Sequence, residues 1–161
     1  MAIGKVKIRA LTEDDLESIV EIDRNVLGES RREYWMRKIS YTDIYPRPSL
    51  VAEVGGKVVG FILGSVSGWE FGVPDTVGWI DTIGVDPAYQ RRGIGKILIK
   101  EFIENLKRTG KEERPEAKKS KIEGVNIIYT LVKGTDLNLL QFFHAMGFKR
   151  GDMINLELKI R

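Results

Sequence analysis

The 161-residue sequence predicts a single α/β (α+β) domain, residues 1–161, and three observations carry that reading. Two strand-like runs, residues 49–54 and 57–67, flank Gly55-Gly56, a pair able to take positive φ at both centres of a tight hairpin. A third strand-like run, residues 78–85, ends at Asp86-Pro87. The apolar residues that follow, Leu98, Ile99, Phe102, Ile103 and Leu106, then recur at helical spacing.

Taken in chain order, Lys5-Val6-Lys7-Ile8-Arg9 alternates as a half-buried strand does, and Thr12-Glu13-Asp14-Asp15 resembles a capping box. Leu16, Ile19 and Val20 give the helix behind it a buried face, and the acidic triplet reads as complement to the helix dipole rather than a metal site. A second helix is expected over residues 31–39, before Pro46 and Pro48 mark a loop. The hairpin strands and the strand over 78–85 make a mostly antiparallel sheet, and the amphipathic helix over 95–107 follows it. Residues 107–121 hold seven basic and three acidic residues with few apolar ones, which predicts a solvated loop. Residues 125–132 read as a buried strand. Asp136 caps a helix over 137–146 that stops at Gly147, and residues 153–160 alternate as a last strand.

Composition removes several function classes. There is no cysteine and only one histidine, so a disulfide, a thiolate nucleophile, a sulfur-built zinc site and the common multi-histidine metal sites are excluded, and no metal is expected. No apolar run approaches the roughly 20 residues that span a bilayer, so no membrane partner is expected. The start, Met1-Ala2-Ile3-Gly4-Lys5, lacks an apolar leader, which makes the expected location cytoplasmic. A net charge of +3 suits an anionic ligand but is too small to argue for nucleic acid, and the basic run lacks base-stacking aromatics.

The chemistry concentrates at Gln90-Arg91-Arg92-Gly93-Ile94-Gly95, between a strand and a helix. Backbone N–H groups and the positive end of the helix dipole converge there, glycine lets the backbone approach an anion, and two arginines add charge. The turn is not a P-loop, because Ile97 follows Gly95-Lys96 where Ser or Thr is needed; nor is it a dinucleotide fingerprint, because Leu98 stands at the third glycine position.

Residues 85–95, Val-Asp-Pro-Ala-Tyr-Gln-Arg-Arg-Gly-Ile-Gly, resemble the acetyl-CoA motif of the GNAT acetyltransferase superfamily, Gln/Arg-x-x-Gly-x-Gly/Ala. Asp136 through Phe148 resembles that family's Asn-x-x-Ala-x-x-Phe-Tyr-x-x-x-Gly-Phe segment, and the order of elements matches over nearly the whole chain. The resemblance implies a central mixed, mostly antiparallel sheet of six to seven strands flanked by about four helices. It implies acetyl-CoA as acetyl donor, held by Ile83, Gly84, Val85, Gln90, Arg91, Arg92, Gly93, Ile94, Gly95, Lys96, Asp136 and Phe143, with the Val85 N–H polarising the thioester carbonyl. The sequence departs from the family at Phe143, where a tyrosine that protonates the departing sulfur is usual. His144 beside it reads as a surface or satisfied histidine.

An acceptor amine reacts only when neutral, so a general base is useful. On the strand over 78–85, alternation puts Trp79, Asp81, Ile83 and Val85 on one face, and Asp81 is the expected base, with Glu70 and Asp75 as alternates. Without a cysteine or a Ser-His-Asp set, the expected route is direct attack in a ternary complex. The motif's resemblance to the ribosomal-protein alanine acetyltransferases implies a peptide or protein N-terminus as the expected acceptor before a small amine, its pocket drawn from Tyr34, Trp35, Tyr41, Tyr45 and Trp69 or those aromatics being core. The working unit is a monomer or a homodimer. A non-catalytic acyl-CoA sensor is the competing reading.

Overall fold

The computed structural model describes residues 4–40, 48–66, 77–112 (of 108–112 the backbone) and 125–161. The chain falls into two compact units, residues 1–130 and 131–161.

The first unit is a five-stranded sheet in the order β1-β2-β3-β4-β5: β1 Val6–Ala10, β2 Leu50–Val54, β3 Lys57–Val66, β4 Val77–Val85 and β5 Ile127–Thr130. Its first three pairings are antiparallel and β4–β5 is parallel. A parallel neighbour needs a crossover, and α3, Ile94–Glu112, supplies it. The hairpin expected at Gly55-Gly56 forms, with φ of 58° and 79° at the two glycines. The helix α3 runs further than expected, so part of the predicted loop over 107–121 is helical; residues 113–121 lie outside the described part.

Helices α1, Leu16–Leu27, and α2, Arg32–Ser40, cover one face of the sheet. Their Ile19, Val20, Ile22, Trp35 and Ile39 form one cluster with Val51, Val58, Phe61 and Leu63. The other face carries α3, and three glycines let it lie close. An added Cβ on Gly60 would meet Leu98 and Ile94, on Gly64 the Phe102 ring, and on Gly78 Leu106.

Two buried carboxylates brace this unit. Asp15, at the end of a short 3-10 turn (Glu13–Asp15) before α1, accepts two bonds from the Arg9 guanidinium, at 2.9 and 2.7 Å, and one from the Thr12 N–H at 2.9 Å. Burial alone would raise the Asp15 pKa, but these donors and the Arg9 charge outweigh it and hold the carboxyl below its usual range. Asp23 accepts from Arg31 at 2.9 and 2.8 Å and from the buried Trp35 indole at 2.7 Å. There too the raising effect of burial is outweighed, by Arg31 and Trp35.

The second unit contains α4, Leu137–Ala145. Its N-cap is Asp136, whose Oδ1 accepts from the Leu139 N–H at 3.1 Å, and Gly147 follows it with φ of 93°, both as expected. Phe143 packs edge-on against Phe142 and Phe148. The strand expected over 153–160 does not form, and Leu156, Leu158 and Ile160 are 84 to 89% exposed. Alternation gives a segment two faces, but a strand also requires a hydrogen-bonded neighbour, and none of the described residues pairs with this one. The described sheet therefore has five strands rather than six or seven.

Candidate acetyl-donor site

The site grows out of β4. Opposite β3, Ile80 faces Gly64 and Thr82 faces Leu63, so β4 spends one extra residue, Asp81, where β3 spends none. Such a bulge reverses the alternation beyond it. By register Trp79 shares a face with Thr82 and Gly84, while Ile80 shares the opposite face with Ile83 and Val85. The expected common face of Trp79, Asp81, Ile83 and Val85 is thus corrected: a residue inserted between Ile80 and Thr82 splits the set. Asp81 itself is exposed.

The parallel ladder with β5 spans only Val77 to Ile80 on β4. Beyond it, residues 82–85 pair with β3 alone among the described residues. The direction of their free backbone groups follows from one bond. Asp86 N–H donates to Val59 C=O on β3 at 2.8 Å, so across the trans peptide the Val85 C=O points the other way. A residue's own N–H and C=O leave a strand on the same side, and the pattern repeats every second residue. Val85 and Ile83 therefore direct both groups to the side away from β3, where the β5 ladder has ended.

This edge runs into the turn over residues 86–95. Asp86, buried at 6% exposure, caps a short 3-10 turn, Pro87–Tyr89, its Oδ1 accepting from the Ala88 N–H at 2.9 Å. Lys57 Nζ lies 4.0 Å from Asp86 Oδ2. Arg91 follows with φ of 62°, the one described non-glycine residue in the left-handed region, and Gly93 has φ of 84°. Ile97 N–H donates to Gly93 C=O at 3.1 Å, so the amides of residues 94–96 precede the helical ladder. Gln90, Arg91, Arg92, Gly93 and Lys96 are exposed, and the Arg92 guanidinium lies 5.7 Å from the Tyr89 ring centroid. Free amides, a helix N-terminus, left-handed backbone and two arginines at one exposed point suit a pyrophosphate, and the edge beside them suits an extended amide-bearing arm. These residues fit coenzyme A.

Residues 16–117, more than half of the chain, match the acetyltransferase (GNAT) family. The chain belongs to the GNAT acetyltransferase family. It is an acyltransferase. The aminoglycoside N-acetyltransferase AAC(6')-Iy, solved in complex with CoA, is 16% identical, with TM-score 0.74 over 96% of this chain and 95% of its own. The Escherichia coli ribosomal-protein-S18-alanine N-acetyltransferase is 18% identical, with TM-score 0.68 over 91% and 79%. The PaiA N-acetyltransferase of Thermoplasma acidophilum, in complex with coenzyme A, is 19% identical, with TM-score 0.67 over 93% of each chain. At these identities the likeness is one of fold.

Other sequence-derived residues fall as follows. Trp35, 1% exposed, is core, whereas Tyr34 is 43% exposed beneath the Arg31 guanidinium, 4.7 Å from its ring centroid. Tyr41, Tyr45, Trp69, Glu70 and Asp75 lie outside the described residues. In the second unit Asp136 is a helix cap, Phe143 is buried and His144 is exposed. Among the described residues no three His, Cys, Asp or Glu side chains gather to hold a metal, and no helix is long and apolar enough to cross a membrane. Sequence reasoning missed the buried cap Asp86, which the Asp-Pro pair signals, and the Arg31–Asp23–Trp35 set, whose spacing carries no local signal.

Proposed function

We propose that this acetyltransferase moves the acetyl group of acetyl-CoA to a primary amine by direct attack in a ternary complex. A peptide or protein N-terminus is favoured as acceptor over a small amine. The observation that carries the reading is the one-sided edge of β4 running straight into a left-handed turn at a helix N-terminus. The protein acts in the cytoplasm as a monomer or homodimer, residues 1–161 serve as one domain, and no metal, membrane or nucleic acid takes part.

Geometry orders the residues along the edge. Gly93, Ile94, Gly95 and Lys96 offer amides to the pyrophosphate, with Arg91 and Arg92 adding charge. An arm anchored there meets Val85 first. Ile83 lies one open rung, about 6.6 Å, further from the turn. The family resemblance gives the thioester carbonyl to the Val85 N–H, but the reacting end is the far end of the arm, which favours the Ile83 N–H as polarising donor and leaves Val85 to the pantetheine amides. Gly84 keeps the strand thin between them: a Cβ there would stand 2.7 Å from the Phe61 ring. Asp81 comes next beyond Ile83, exposed on its bulge, and its carboxylate takes the proton the amine must lose. Acetyl-CoA, when bound, supplies an activated acyl group on a thiol whose ordinary pKa of about 8.5 makes it a tolerable leaving group near neutral pH. That accommodates Phe143 in place of an acid.

The test is thiol release from acetyl-CoA in the presence of Ala-starting peptides, polyamines, amino acids and aminoglycosides in parallel. Turnover with a peptide above the others is the expected result; turnover with none, despite CoA binding, supports the sensor reading that the missing hydroxyl at Phe143 favours.

A further inference from the structure

Gln90 belongs to the motif residues expected to hold the cofactor, yet its side chain folds back onto the end of β4. Its Nε2 donates to the Val85 C=O at 2.9 Å, five residues back along the chain. That carbonyl is the one whose direction is fixed by the Asp86–Val59 bond, and it faces the open edge. The Gln90 amide therefore spans from the start of the phosphate turn to the last rung of β4.

The position of this strut matters because the next residue is strained. Arg91 holds φ of 62°, a conformation that is unfavourable for a side-chain-bearing residue and kept only where the surroundings over-determine it. Between β4 and Arg91 two side-chain hydrogen bonds tie the backbone down: Asp86 Oδ1 to the Ala88 N–H, and Gln90 Nε2 to the Val85 C=O. Main-chain bonds from Tyr89 N–H to Asp86 C=O, at 2.8 Å, and from Gln90 N–H to Pro87 C=O, at 3.4 Å, close the short turn upon itself, without reaching the strand. Of these contacts, the one crossing from the turn to the open edge is the one Gln90 makes. A carbonyl has two lone pairs, so this bond leaves the Val85 oxygen able to accept a second donor.

We infer that Gln90 is a positioning residue: its side-chain amide locks the phosphate turn to the end of β4, holding the left-handed Arg91 and the Val85 rung in one fixed relation, without itself touching the ligand. The inference rests on the acetyl-CoA reading for its consequence in binding, but the lock is a property of the free protein. Preorganisation of this kind lowers the cost of ordering the turn when an anion arrives.

The experiment has two arms. In the first, amide hydrogen exchange is followed by NMR on the ligand-free protein for wild type, Gln90→Ala and Gln90→Met, the last keeping length without a donor. Loss of one hydrogen bond, of order fivefold in a local equilibrium, should speed exchange at Ala88 and Tyr89 by about that factor in both variants and leave Ile62 in β3 unchanged. In the second, calorimetry with CoA should show both variants weakened by about fivefold. Unchanged exchange at Ala88 and Tyr89 in both variants overturns the inference, and CoA affinity lost in that case would make Gln90 a direct phosphate contact. Failure of the wild type to bind CoA would instead remove the acetyl-donor reading, with the exchange arm still deciding the lock.

Discussion

Gly64→Ala tests the packing that forms the site, because the added methyl has nowhere to go. Its Cβ would stand 2.2 Å from the Trp79 carbonyl oxygen and 2.3 Å from the Phe102 Cζ. Real Cβ contacts lie beyond 3.0 Å, so each neighbour must retreat by close to 1 Å. Neither can do so alone: the carbonyl belongs to the β4 backbone, and Phe102 is fully buried. Either β3 and β4 part beside the Asp81 bulge, or α3 lifts from the sheet. Overpacking of a tight core costs typically about 1–3 kcal/mol, and a rigid clash on two sides belongs at the upper end. At roughly 2–4 °C per kcal/mol for a chain of this size, the melting temperature should fall by about 6–12 °C. Gly60→Ala is the internal control. Its contacts, Leu98 Cδ1 at 3.2 Å and the Gly84 carbonyl oxygen and Ile94 Cγ2 at 3.3 Å, need shifts of only a few tenths of an ångström, so it belongs at the lower end of that range, about 1 kcal/mol. Thermal scans and urea titrations of both variants, with CoA affinity measured alongside, decide the matter. Equal melting temperatures for the two, or a Gly64→Ala protein within 1 °C of wild type, would mean that the close approach of β3, β4 and α3 is not as described.

Further outcomes follow from the same geometry. Gly93→Val should abolish CoA binding while leaving the fold intact, because no atom lies within 4 Å of the added Cβ and the strain is that of a branched residue at φ of 84°; calorimetry and circular dichroism together check it. Ile83→Pro should lower kcat by about 10²- to 10³-fold as a lost polarising donor, whereas Val85→Pro should raise the acetyl-CoA KM; the reverse pattern would return the oxyanion role to Val85. Asp81→Asn should slow transfer by about 10²- to 10⁴-fold near neutral pH and progressively less as solution pH deprotonates the acceptor, with CoA affinity unchanged. Asp15 and Asp23 both have folded pKa values below the usual 3.8. The unfolded chain thus binds protons more readily, so their contribution is complete above about pH 4 and disappears as pH falls through the folded values; denaturant midpoints of Asp15→Asn and Asp23→Asn should show a flatter acid limb than wild type.

Local chemistry made much of the fold legible. Gly55-Gly56 announces a hairpin because few other pairs take positive φ twice, and α3 announces itself because Leu98, Ile99, Phe102 and Leu106 all become buried at the period the sequence shows. Residues 153–160 mislead for the converse reason. Their alternation is a property of the segment, while pairing is a property of two segments, and the second cannot be read from the first. The ion pairs at Asp15 and Asp23 are equally silent in sequence, since Arg9 and Arg31 look no different from arginines that face solvent.

The site divides along the same line. The turn proposed to hold the phosphates has local requirements that a sequence displays: glycine, a helix start and positive charge within six residues. The reacting part does not, because one inserted residue decides it. Apolar positions do betray the insertion, since Ile80 and Ile83 stand three apart around Asp81-Thr82 where strict alternation would set them two apart, yet only the register against Gly64 and Leu63 shows which residue is the extra one. That residue lies where the ladder with β5 stops. A regular β4 would alternate through Asp81 without interruption; the bulge turns the following rungs by one residue, so that Ile83 and Val85 join Ile80 on the α3 face while their backbone groups look away from β3. The carboxylate proposed as base and the edge proposed to hold the acetyl arm are thus products of one irregularity. A deletion that regularised β4 would remove both functions together, leaving the phosphate turn to bind CoA without turnover.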